Sequence, residues 1–447
     1  TIDFGLFSAN CPPIMRPMDI LPIDPGARRA ILDAVAAQQA EAESLLATLV
    51  AFPSTLGHEA WCLDFCARAF AALGLDVRRI PTEPEKLGSH PGWSPPLVPY
   101  GGRDNAVGLY TPRETKGRSL CLQGHIDVVP EGAAELWTSP PFEPEIREGR
   151  MYGRGAGDMK AGVASTMMAL KALHGAGLQP AAAVQLHAVI EEECTGNGAL
   201  ACMLALPKPD AVVIPEPFDH SLLVAEVGVI WAWVTVFGRP AHVLEMQKGV
   251  NAIEAAYVLS RHFKAYEARM NEAANRHPAF AGHNHPINVN LGTIEGGEWN
   301  SSVPTRARIG LRVGVMPGYP AQRAKADIEV LVAEAAREPE FDGCSFALEF
   351  KGFMAEGCTF DPAWPIMRTL DRFHAEIRGG PARHLANTGL TDARFWPLYQ
   401  GTQATCYGPE AERIHGIDES VSLASMHDVT RVLALTIAGW CGLEAKA

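Results

Sequence analysis

The sequence predicts an α/β fold: a mixed, mainly parallel sheet with helices on both faces, interrupted by a smaller two-layer unit. Three observations carry this. Between residues 119 and 217, short apolar runs alternate with helix-patterned stretches, as a parallel sheet with crossover helices requires. From about residue 227 the order becomes strand, helix, strand, strand, helix, strand, the signature of a small βαββαβ unit. The chain, at 447 residues, is also longer than one hydrophobic core normally supports.

Residues 1 to about 23 are proline-rich and aperiodic and read as a surface arm. The arm lacks a basic segment and is broken by prolines, so it does not read as a signal peptide. Asp24-Pro25 then supplies an N-cap with proline at the first helical position. One helix is expected through ARRAILDAVAAQQAEAESLLATLVAF, with Ile31, Val35, Leu45 and Leu49 on its apolar face. A second helix, EAWCLDFCARAFAALG, ends at Gly74, and LDVRRI follows as a strand. Residues 82–105, dense in Pro and Gly, read as an excursion rather than an element.

Beyond it, SLCLQGHIDVV, AAVQLHAVIEEE and DAVVIPEP read as strands, with AGVASTMMALKALHGAG and GNGALACMLAL as the helices between them. In the second unit, VGVIWAWVTVFG, PINVNLGTIEGG, ARIGLRVGV and CSFALEFKG are strands, and residues 250–270 and 320–337 are helices. Ligand-type residues resume after this unit, so the chain must return to its first domain. Residues 1–226 and 354–447 are therefore expected to form one domain and 227–353 an insertion.

Composition bounds the function classes. With 47% hydrophobic and 20% charged residues, the chain reads as an ordinary globular protein. A net charge of -13 argues against nucleic acid or an anionic membrane surface as partner. No apolar run is long enough for a membrane helix. The ten cysteines are scattered through apolar stretches and read as reduced, buried thiols, which suits a cytoplasmic location.

Five motifs carry chemistry. In GHIDVVP, His125 can ligate a metal while Asp127, two residues on, holds the other ring N–H. A surface His beside an Asp is the commoner source of such a pair, so this motif alone assigns nothing. In GRGAGDMKAG the glycines turn the backbone tightly and Asp158 is placed to bridge two cations; a phosphate loop is the rival, but the G-K-[ST] order is absent. In VIEEECTGNGAL three carboxylates end a buried strand and would repel one another without cations. Alternation puts Glu191 and Glu193 on one side and Glu192 on the other, which leaves their roles open. VVIPEPFDH presents Glu216 between stiffening prolines, and ERIHGIDESVSL offers His415. His427 competes with His415, yet it lies within a C-terminal amphipathic helical pattern, so His415 is preferred.

Taken in order, these motifs resemble the dinuclear zinc family of aminoacylase, acetylornithine deacetylase, succinyl-diaminopimelate desuccinylase and carboxypeptidase G. The resemblance runs from about residue 40 to 440 and includes PPFEPEIREGRMYGRGAGDMKAG, EEECTGNGA, PEP, GRPAH and HGIDESV. It implies a catalytic domain interrupted by a lid that often dimerises. The family pattern D-E-E falls on Glu191-Glu192-Glu193, with Glu in place of the usual Asp at the first position. Glu192 then becomes the proton shuttle. One ion would take His125, Asp158 and Glu216, and the other Asp158, Glu193 and His415.

The donor set suits Zn²⁺, with Co²⁺ or Mn²⁺ as substitutes. The implied reaction is hydrolysis of a small N-acyl compound by a water whose pKa the two cations lower. His242 in GRPAH resembles the oxyanion donor that reaches a partner subunit's site in dimeric relatives. Asn300, Arg312 and Arg394 match positions that often contact a substrate carboxylate. Glu at 216 resembles the deacylase branches, whereas peptidase branches tend to have Asp there. The alternatives are a metallo-carboxypeptidase or dipeptidase, or a non-catalytic binding descendant.

Overall fold

The computed structural model describes residues 20–446, so nearly all of the N-terminal arm lies outside the described residues. Asp24 caps the first helix as expected: its Oδ1 accepts from the amides of Gly26 and Ala27 at 2.9 and 3.0 Å. The single helix expected there is two, Pro25–Ala37 and Gln39–Val50, because Gln38 leaves helical geometry at ψ 8°.

The central sheet has six strands in the order Asp76–Pro81, Asp104–Tyr110, Val184–Val189, Leu120–His125, Ala211–Ile214 and Gln403–Cys406. The last four run parallel, and Asp104–Tyr110 is antiparallel to both of its neighbours, so Asp76–Pro81 runs in the direction of the four. Asp104–Tyr110 begins inside the Pro/Gly-rich stretch that read as an excursion. The parallel strands are buried on both faces, as apolar runs without alternation imply. Helix Ala161–Gly175 covers one face with Leu423–Cys441, whose residues are buried nearly all round rather than along one stripe.

A second sheet, ordered Val289–Gly296, Arg306–Val315, Gly228–Phe237 and Ser345–Ala355, is antiparallel throughout. Helices Ala252–Met270 and Ala321–Ala335 pack on one face of it, around Phe263, Leu259, Ile309 and Ile328. Its chain order is βαββαβ.

The register levels the carboxyl ends of the parallel strands. His125 pairs with Val189, and Cys406 with Ile214. Ligands in such sheets collect beyond these ends. Glu192, Glu193, Glu216 and His415 all follow them in the chain.

Candidate metal centre

Each side chain is aimed by a local device. His125 is the last residue of its strand and buried, and its Nδ1 lies 2.9 Å from the carbonyl oxygen of Asp127. The Asp127 carboxylate, expected at that ring nitrogen, is 3.6 Å away. It instead accepts from the amides of Glu192 and Glu193 at 3.3 and 3.2 Å. Asp127 thus fixes both carboxylates and the imidazole, the latter through its backbone.

Strand alternation does not hold across the three glutamates, because Glu191 has φ 63°. Glu191 turns into the protein, where it meets Arg103 at 2.7 Å, Thr195 at 2.7 Å and the Tyr100 hydroxyl. Glu192 and Glu193 both line the cavity. Arg103 also pairs with buried Glu59. Nothing in a single sequence marks this Glu59–Arg103–Glu191 cluster, since its members are far apart in the chain.

The glycine-rich loop around Asp158 is an anion-binding nest filled from within. Glu419 accepts from the amides of Gly155, Gly157 and Asp158, each at 3.0 Å, and pairs with buried Arg154. A side-chain carboxylate takes the place the rival reading gave to phosphate. Gly162 lets the following helix close on the strand bearing Glu216: a Cβ there would sit 2.2 Å from the Pro215 oxygen.

These devices bring the expected ligands together. His125 Nε2 lies 3.1 Å from Asp158 Oδ1 and 3.9 Å from both Glu192 Oε2 and Glu216 Oε1. His415 Nε2 lies 3.3 Å from Asp158 Oδ2 and 3.1 Å from Glu193 Oε2. His125, Asp158 and Glu193 offer donor atoms close enough to share one ion. His427 is elsewhere, 3.0 Å from Glu43.

The electrostatics call for cations. Burial, then the neighbouring carboxylates, pushes Glu192 and Glu216 well above the usual range despite nearby His125. Burial opposes a charged His125, but Asp158, Glu192 and Glu216 outweigh it and hold the ring well above its ordinary value. Glu193 and Asp158 raise His415 to about 11. Among the described residues, buried Glu216 Oε1 has no hydrogen-bond partner. Four carboxylates around two imidazoles, one with an orphaned buried oxygen, fit divalent ions far better than a salt-bridge network.

The remaining expected residues separate. Arg312 lines the cavity, with Nη2 3.2 Å from the Thr388 oxygen. Arg394, expected at a substrate carboxylate, is instead buried off the cavity wall. Its guanidinium donates to the carbonyls of Thr391 at 2.6 Å and Thr195 at 3.2 Å, and stacks on Phe395. His242 and Asn300 lie on the second sheet's unit, away from this cavity. His242 Nδ1 accepts from the Leu244 amide at 3.1 Å, and Asn300 lines a separate surface recess beside Trp299.

A mixed α/β fold with acidic and imidazole ligands at its parallel strand ends defines a metal-dependent hydrolase. A profile of Peptidase family M20/M25/M40 matches residues 121–439, more than half of the chain, and the protein belongs to that family. It is 25% identical over 360 residues to an N-formyl-4-amino-5-aminomethyl-2-methylpyrimidine deformylase of Halalkalibacterium halodurans, covering 73% of this chain and 80% of that one. It is 29% identical over 405 residues to a succinyl-diaminopimelate desuccinylase of Caulobacter vibrioides, covering 86% and 92%. Human carnosine dipeptidase 1 shares the fold, with a TM-score of 0.74 at 14% identity over 94% of this chain and 100% of that one.

Proposed function

We propose that the protein is a dinuclear metal-dependent N-deacylase that hydrolyses the amide of a small N-acyl or N-formyl compound. The observation that carries the reading is the division of Asp158 between two histidines, Oδ1 toward His125 and Oδ2 toward His415. His125, Asp158 and Glu216 would hold one ion, and Asp158, Glu193 and His415 the other. Zinc suits these donors best, with cobalt or manganese as substitutes. Two cations bound there supply Lewis acidity and a lowered pKa for water.

The chain's own residues then move the proton. Glu192, at the cavity wall, takes a proton from the attacking water and returns it to the leaving amine. Asp127 keeps Glu192 in place through its amide. Arg312 holds a polar group on the far side of the substrate. In this reading residues 1–226 and 354–447 are the catalytic domain, and 227–353 a lid through which two copies pair. His242 and Asn300 then serve the partner's cavity, which accounts for their distance from their own. The free cysteines among the described residues support a cytoplasmic location.

Both relatives named by sequence act on N-acyl compounds, which favours deacylation over peptide cleavage. The test is hydrolysis of N-formyl, N-acetyl and N-succinyl amines beside dipeptides, with and without chelator. Chelator-sensitive release of amine from the N-acyl compounds supports the reading. Cleavage of dipeptides alone would replace it with a dipeptidase.

A further inference from the structure

The cavity holding the candidate metal ligands, about 430 Å³, is closed on its far side by the helix-free face of the second sheet. That face carries Trp231 and Trp233, alternate residues of one strand, both half-buried and both lining the cavity. The neighbouring strands present glycine beneath them. A Cβ on Gly352 would meet Trp231 Cε3 at 2.4 Å, and one on Gly310 would meet Trp233 Cζ3 at 2.7 Å. Each indole therefore lies down on the sheet instead of standing off it. Phe353 meets Trp231 edge-on, with ring centroids 5.5 Å apart, and the Arg308 guanidinium stacks on Trp233 at 4.6 Å. Among the described residues lining the cavity, Arg312 is the one arginine or lysine.

An aromatic wall on which Arg312 is the one guanidinium lining the cavity is built for a flat ring. It is poorly suited to a substrate bearing several carboxylates, each of which needs its own donor. Resting on the deacylase reading above, we propose that the substrate carries a flat aromatic or heteroaromatic ring, stacked against Trp231 with Trp233 beside it, on the part reaching away from the scissile amide. Gly310 and Gly352 are then positioning residues that keep the indoles flat.

The test compares flat and puckered rings of equal size. N-formylbenzylamine is set against N-formylcyclohexylmethylamine, and N-benzoylglycine against N-cyclohexanecarbonylglycine, with N-succinyl-diaminopimelate as the polyanionic control. In the better pair the flat ring should win by about tenfold in kcat/KM. Trp231→Leu should bring that ratio near one, and so should Gly352→Ala, which leaves the indole present but tilted and also strains a backbone at φ 79°. Phe353→Leu serves if either variant fails to fold. A merely structural role would lower both members of a pair equally. Calorimetric binding of the same amides to Glu192→Gln reads the ring preference without cleavage. A ratio near one in the unaltered protein, a ratio unmoved by these variants, or N-succinyl-diaminopimelate as the best substrate would overturn the ring proposal and leave the deacylase reading standing. Ring-selective binding with no amide cleaved would sustain the ring site and sink the deacylase reading.

Discussion

His125 and His415 meet opposite oxygens of one carboxylate, that of Asp158, at 3.1 and 3.3 Å. One side chain thereby joins two donor groups that come from segments far apart in the chain. If both groups hold cations, Asp158 matters to two ions and His415 to one. Metal analysis of the purified protein should then find His415→Ala reduced by about one ion per chain relative to wild type. Asp158→Asn should lose more. Unchanged metal content in Asp158→Asn would remove the bridging role.

Arg103 is buried between Glu59 and Glu191. Arg103→Met leaves two carboxylates without their counter-charge in the interior, so it should cost about 3–5 kcal/mol in urea or thermal unfolding. The triple variant Arg103→Met, Glu59→Gln, Glu191→Gln should recover much of that loss. Equal stability of Arg103→Met and wild type would show the cluster to be dispensable.

Stability should fall in mild acid through His187, independently of the metal centre. The ring is buried on the central sheet, with Nε2 3.0 Å from Gln185 Oε1, and burial lowers its pKa to about 3. The unfolded chain binds that proton near pH 6.5, the folded chain only near 3. The stabilisation is therefore complete above 6.5 and drains away as pH falls. Between pH 7 and 5 this amounts to about 2 kcal/mol. His187→Asn should lessen the fall in unfolding free energy across that window by about that amount, leaving the share of other buried histidines such as His220; an identical slope in the variant would rule the residue out as a source.

If His242 serves the partner's cavity, two inactive proteins should complement each other. Mixing His242→Ala with Glu192→Gln under conditions that exchange subunits creates dimers with one intact site. About a quarter of wild-type turnover is expected from statistical mixing. No recovery, or a strictly monomeric protein on sizing, would return His242 to a local structural role.

The clustering of these side chains was readable because His125, Glu192, Glu193 and Glu216 end or follow apolar strands, while Asp158 and His415 stand in the short motifs GRGAGDMKAG and HGIDESV. The order of the second sheet's elements was readable for the same reason. What escaped the sequence depends on contacts between distant segments. Glu191 looks like its two neighbours, and only its positive φ and the approach of Arg103 turn it inward. Glu419 filling the Gly155–Asp158 loop joins residues more than 250 apart. Arg394 has the composition of a binding residue, yet two backbone carbonyls already occupy its guanidinium. The break at Gln38 carries neither Gly nor Pro to announce it. Asp104–Tyr110 starts beneath a run of turn formers that hid it.

The most direct test of the hydrolytic centre is Glu192→Gln, assayed for release of free amine from N-formyl and N-acyl amides with metal content measured on the same sample. The variant should keep its ions, since Glu192 is not among the proposed ligands, and lose turnover by about 10²–10⁴-fold. Wild-type turnover in a metal-replete Glu192→Gln protein, or wild-type activity indifferent to chelator, would contradict the account.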